Sequence, residues 1–153
     1  MASTTFSGPV TSDNGFIGAL TGNVTGNIAG TGKITHATTS AINATATATA
    51  AEVATGYITS TSAAPTTITL PTGTLLGAAL GATQGTVFDL YIDNTAGAST
   101  VTIAVAVNGI LSTAAADTAG SFGDLTIAAG ATGLARFTLM FSSATAYAFT
   151  RTA

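Results

Sequence analysis

In several stretches between residue 66 and the C-terminus, apolar side chains return at every second position, and that spacing dictates extended chain. "TTITLP" sets Ile68 and Leu70 on one side. "TVFDLYIDN" sends Phe88, Leu90 and Ile92 one way and Val87, Asp89, Tyr91 and Asp93 the other. "STVTIAVAVNGILS" does the same with Val101, Ile103, Val105 and Val107. "LARFTLMFSSATAYAFTR" aligns Phe137, Leu139 and Phe141, turns through Ser, Ala and Thr, and returns with Tyr147 and Phe149. Asn108-Gly109 between two apolar runs is a strong hairpin signal, because a type I′ turn needs φ > 0 at both positions. The spacing of Leu75, Leu76 and Leu80 behind Pro71 predicts one short helix over 74–80. The expected inner face is Ile68, Leu70, Phe88, Leu90, Ile92, Val101, Ile103, Val105, Phe137, Leu139 and Phe141.

The first third follows another rule. In "LTGNVTGNIAGTG", Leu20, Val24 and Ile28 recur every fourth residue, with Gly22, Gly26 and Gly30 midway between them. Four is twice the strand period, so an extended 18–35 has two unlike faces. One alternates glycine gaps with the knobs Leu20, Val24, Ile28 and Ile34; the other shows Thr21, Asn23, Thr25, Asn27, Thr31, Lys33 and Thr35. A lone chain gains nothing by ordering such a segment, since glycine loses the most entropy. Copies around a threefold axis, or a groove on a larger surface, would bury the knobs and satisfy the backbone. "ATATATA", 44–50, alternates too and reads as a thin strand or extended connector. A single Thr-x-Thr row also occurs on ice-binding faces, but those stack many rows. The fold class expected is all-β: an extended Gly/Thr-rich N-terminal arm, residues 1–50, for attachment and oligomerisation, then an antiparallel β-sandwich or jelly-roll-like domain, residues 51–153.

Charge narrows the functions. Only 6% of the 153 residues are charged, Lys+Arg 3 against Asp+Glu 6, for a net charge of −3. No basic surface is available for nucleic acid or anionic membrane. Hydrophobic residues make up 46%, too many for a disordered chain. No cysteine is present, which excludes disulfides and thiolate metal sites. "MASTTFSGPV" has neither a basic n-region nor an apolar h-region, so no signal peptide is expected, and no apolar run is long enough to span a membrane. So little surface charge points to a chain that packs against other chains.

Catalysis needs titratable groups brought together. His36 is the single histidine and has no G-x-S-x-G elbow to serve. Asp89 and Asp93, four residues apart on one strand face, would stand roughly 13 Å apart, beyond the spacing of glycosidase carboxylates. Asp117 and Asp124 lack the tight ligand spacing of a calcium loop. "NIAGTGKI" misses the phosphate-loop pattern at Asn27 and Ile34. No catalytic residue, metal or cofactor is expected, and the candidate site is the assembly ratchet Leu20, Val24, Ile28 and Ile34.

The segment "FSGPVTSDNGFIGALTGNVTGNIAG" resembles the N-terminal regions of bacteriophage virion structural proteins. "TTITLPTG", "GTVFDLYIDNTAGASTVTIAV" and "LARFTLMFSSATAYAFTR" are similar to a β domain of phage head-decoration and fibre proteins. The resemblance implies a non-enzymatic capsid decoration, or cement, protein of the virion. Its partners would be itself, as a homotrimer, and the major capsid protein, with assembly in the host cytoplasm. The alternative it implies is a short head or tail fibre that binds host surface glycans. Receptor binders cluster aromatics on outer loops; here most aromatics fall at inward parity on strands, which favours decoration.

Overall fold

The computed structural model describes residues 38–111 and 125–152. The chain divides into compact units Met1–Ile34 and Thr35–Ala153, and the described residues belong to the second. Residues 38–50 of the expected arm lie in that unit, ahead of residue 51. The segment before it supplies two short strands, β1 Ser40–Ala41 and β2 Ala46–Thr47. Part of "ATATATA" is thus strand. Its end caps helix α1, Ala50–Ala54: the Thr49 hydroxyl accepts from the Glu52 N–H at 3.2 Å, and the Glu52 carboxylate accepts from the Thr49 N–H at 2.7 Å.

Strand β3 Tyr57–Thr59 follows, then β4 Thr66–Leu70, helix α2 Gly73–Leu80, β5 Val87–Asp93, β6 Val101–Val105 and β7 Gly109–Leu111. After the undescribed stretch come β8 Thr126–Ile127, β9 Leu134–Ser143 and β10 Ala146–Arg151. The strands form a six-stranded sheet of order β1-β3-β5-β9-β10-β7 and a four-stranded sheet of order β2-β4-β6-β8.

Both sheets are mixed, which corrects the antiparallel expectation. β1, β3 and β5 run parallel, as do β2, β4 and β6, and β7 runs parallel to β10. Only β5–β9, β9–β10 and β6–β8 are antiparallel among the described pairs. The reason is the route of the chain. From β1 to β9 each successive strand enters the opposite sheet, so β1, β3 and β5, and likewise β2, β4, β6 and β8, pair with the strand after next, while β5 skips β7 to pair with β9 and β7 joins the edge beside β10. Alternation reports which face is buried and carries no information about direction.

The corners between sheets stack as the strands do. The Ile42 N–H donates to the Thr59 carbonyl and the Ser60 N–H to the Asp93 carbonyl, at 2.9 and 2.8 Å. The Thr61 N–H donates to Asn43 Oδ1 at 2.8 Å, and the Ala98 N–H to the Ser62 carbonyl at 3.0 Å. Corner backbone is thereby satisfied without a hairpin.

Asn108-Gly109 is such a corner and not a hairpin: it carries the chain from β6 to β7 in the other sheet. Asn108 takes φ 64°, but Gly109 is not left-handed, so no type I′ turn forms. Glycine is needed at 109 for space. A Cβ there would lie 2.8 Å from both the Tyr147 hydroxyl and Val105 Cβ. That buried hydroxyl donates to the Pro71 carbonyl at 2.9 Å, and burial pushes the Tyr147 pKa up to about 12.

One apolar core receives side chains from both sheets: Ile68, Leu70, Ile103 and Ile127 from the smaller, Leu90, Ile92, Phe137, Leu139, Phe141, Tyr147 and Phe149 from the larger. The expected inner face is therefore in place, with two reductions: Phe88 and Val105 are only partly buried against the core. Val107, at the same parity as Val105, is exposed beyond the end of β6. The β9–β10 hairpin forms as expected. So does the helix over 74–80, begun by the Thr72 hydroxyl and ended at left-handed Gly81. Its buried residues are Gly73, Leu76 and Gly77, while Leu75 is exposed.

Candidate functional site

Leu20, Val24, Ile28 and Ile34 lie outside the described residues, as do His36, Asp117 and Asp124. Asp89 and Asp93 are described, and the fold gives them neighbours on the outer face of the six-stranded sheet. Register places Tyr57 of β3 beside Tyr91 of β5, and Arg136 of β9 on the other side of Tyr91. Thr138 is opposite Asp89, and Leu134 opposite Asp93. A row of tyrosine, tyrosine and arginine therefore crosses a column of Asp89, Tyr91 and Asp93.

The side chains lock one another in place. The Arg136 guanidinium donates to Asp89 Oδ2 at 2.7 Å, and the Thr138 hydroxyl to Asp89 Oδ1 at 2.8 Å. The Tyr57 hydroxyl donates to Asp93 Oδ2 at 2.7 Å. Thr95 gives Asp93 Oδ1 both its N–H, at 2.9 Å, and its hydroxyl, at 2.6 Å. The Tyr57 and Tyr91 rings stack with centroids 6.4 Å apart and planes 24° from parallel. Just past Asp93, buried Asn94 pins the strand end: its amide donates to the carbonyls of Ser99 and Ala128, each at 2.9 Å.

These contacts bias the protons. Burial is the largest single influence on Asp89 and pushes its pKa up. It is outweighed by the bonds from Arg136 and Thr138 and by the guanidinium charge, so the net direction is down. Asp93 is also lowered, first by the Thr95 hydroxyl, against burial and with help from the Thr95 N–H and Tyr57. Tyr57 moves up, chiefly because its proton is held by Asp93. Depressed carboxylates add stability above their unfolded pKa of about 3.9, and that stability disappears as pH falls through the lower folded values. Urea melts across pH are therefore expected to show an acid limb that starts below about pH 4 and is shallower in Asp89→Asn and Asp93→Asn chains. Identical limbs in all three would mean these bonds are absent in solution.

A second feature lies on the same sheet. Gln84, Gly85, Met140, Phe141, Ser142 and Ala148 line an open, mainly apolar hollow of about 310 Å³ beside exposed Val87. Among the described residues no group of three or more His, Asp or Glu side chains could hold a metal ion.

In the sequence, the spacing of Asp89 and Asp93 excludes a glycosidase pair, and nothing marks Tyr57, Arg136 or Thr138 as their neighbours. Parity held the signal: Ile58 and Phe137 point inward, so Tyr57 and Arg136 face out. What parity lacked was the pairing of β3 with β5 and of β5 with β9. No protein-family model, curated protein or solved structure matches the chain.

Proposed function

We propose that the protein is a non-enzymatic structural component of a bacteriophage head, a decoration or cement protein held on the capsid exterior as a homotrimer. The two-faced repeat of residues 18–35 carries the reading. Its knobs Leu20, Val24, Ile28 and Ile34 alternate with glycine, a pattern that pays off only when another surface fills the gaps. Burying each Leu or Ile side chain contributes about 1.5–3 kcal/mol, and three chains multiply that gain. Support comes also from the sheet edges. The described edge strands β1, β2, β7 and β8 have two or three residues each. Short edges resist recruitment of further strands, which leaves assembly to the repeat. The resemblance of "FSGPVTSDNGFIGALTGNVTGNIAG" and of the later strand segments to phage virion proteins points the same way. In this reading the two mixed sheets are the layers of a β-sandwich, since their side chains meet in one core.

The test is a full-length Val24→Asp/Ile28→Asp chain. Light scattering behind size exclusion should report monomers, co-sedimentation with heads should fail, and thermal unfolding of the β unit should be unchanged. Trimers and head binding at unaltered affinity would overturn the proposal.

A further inference from the structure

We propose that Asn108 is a self-modifying site: when β7 lifts from β10, the Gly109 backbone nitrogen converts the Asn108 side chain to an isoaspartyl link, and that link keeps β7 from closing again. The inference does not rest on the decoration reading. Asn108 follows β6 and Gly109 opens β7, the three-residue strand at one described edge of the larger sheet. Glycine after asparagine leaves the attacking nitrogen unshielded by a side chain. Asn108 is exposed, so water reaches the amide it must hydrolyse.

The chemistry needs only water. The Gly109 nitrogen gives its proton to solvent base and bonds to Asn108 Cγ; the Cγ–Nδ2 bond breaks and ammonia leaves. Water then opens the cyclic imide. Cleavage at one carbonyl gives aspartate in a normal backbone. Cleavage at the other gives isoaspartate, whose main chain runs through Cβ and Cγ and is one carbon longer. The closed fold holds this reaction back. The Gly109 N–H donates to the Ala106 carbonyl at 3.0 Å, and the Asn108 carbonyl accepts from the Tyr147 N–H at 3.1 Å. The peptide unit between 108 and 109 is thus held from both sides, with Asn108 at φ 64°, a left-handed setting that asparagine tolerates. Attack requires that unit to turn, which breaks both bonds. A short strand at a sheet edge is where such local opening costs least.

The packing at this corner bars the longer product. A Cβ on Gly109 would lie 2.8 Å from both the Tyr147 hydroxyl and Val105 Cβ, and the Asn108 carbonyl oxygen lies 2.8 Å from where a Gly73 Cβ would stand. An added backbone carbon therefore meets Tyr147, Val105 and the start of α2. To make room, the register that sets Gly109, Ile110 and Leu111 beside Tyr147, Ala148 and Phe149 has to be given up. Aspartate adds no carbon and fits.

Full-length protein is incubated at mildly alkaline pH, folded and in concentrated urea, and peptides spanning residue 108 are scored by mass and by isoaspartyl methyltransferase labelling. In urea, Asn108 should convert within about threefold of the rate of Asn14, which also precedes glycine. In the folded chain Asn108 should convert at least about tenfold more slowly than in urea. An Asn14→Ser chain, converted in urea at 108 alone, is then refolded and followed by hydrogen exchange. Isoaspartyl chains should lose amide protection over 109–111 and keep it over 134–143, while Asn108→Asp chains should keep both. Five results would each overturn the proposal: no conversion at 108 in urea, equal rates folded and unfolded, full protection over 109–111 in isoaspartyl chains, the same loss there in Asn108→Asp chains, or loss that extends to 134–143.

Discussion

A Gly77→Leu chain is expected to lose about 3 kcal/mol or more in urea denaturation, the upper end of what overpacking costs. Helix α2 lies directly on the turn that joins β9 to β10. A Cβ on Gly77 would collide with the Ala144 carbonyl oxygen, and one on Gly73 with the Thr145 carbonyl oxygen and, at 2.8 Å, the Asn108 oxygen. These neighbours are backbone, which cannot rotate away as a side-chain tip can. Relief therefore requires lifting the helix off the hairpin, and Leu76, fully buried between the two glycines, would lift with it. Ala79, exposed on the same helix, gives the control: Ala79→Leu should stay within about 0.5 kcal/mol. A Gly77→Leu loss below about 1 kcal/mol would mean the helix does not sit on the turn in solution.

Phe137→Ala should cost about 3–5 kcal/mol, the range for deleting a fully buried ring. Its ring stacks on Phe149 with centroids 4.8 Å apart, so part of the loss is the partner's contact. The double variant with Phe149→Ala should therefore cost less than the two single losses added together. Phe88→Ala removes the same atoms from a partly buried site and should cost distinctly less than Phe137→Ala. Equal losses at 88 and 137 would place the core differently from the structure.

Parity made much of this core legible. Ile68 and Leu70, Leu90 and Ile92, and Phe137, Leu139 and Phe141 are buried as their spacing requires, and the hairpin closing on Tyr147 and Phe149 follows from local chain reversal. Partner choice was not legible. Tyr57 gives no sign in sequence that it will lie beside Tyr91, because the chain visits the other sheet between them. Asn108-Gly109 misled for a related reason. A residue pair that favours a tight turn serves equally at a corner where a tyrosine ring presses on the backbone. In α2 the leucine spacing located the helix, but two of its three buried positions are glycine, which a hydrophobicity pattern scores as neutral. The outer-face row was missed because its members are unremarkable one by one and become a site only through register.

The alternation of strands between sheets sets how this unit must fold in time. Nearly every pairing joins distant parts of the chain: Tyr57 waits for Tyr91, Thr66 for Val101 and Leu90 for Phe137. Among the described strands only β9 and β10 find each other locally. Contacts of such long range must meet their loop-closure cost before they are rewarded, and domains built from them fold in about milliseconds to seconds. On the ribosome β5 emerges with β3 beside it and β9 still unsynthesised, its long edge open on one side. A chain with so few charges has little repulsion to keep such an intermediate apart from its neighbours. Arrival of the β9–β10 hairpin ends that exposure, so yield during synthesis should depend on how quickly residues 134–151 follow β5 out of the ribosome.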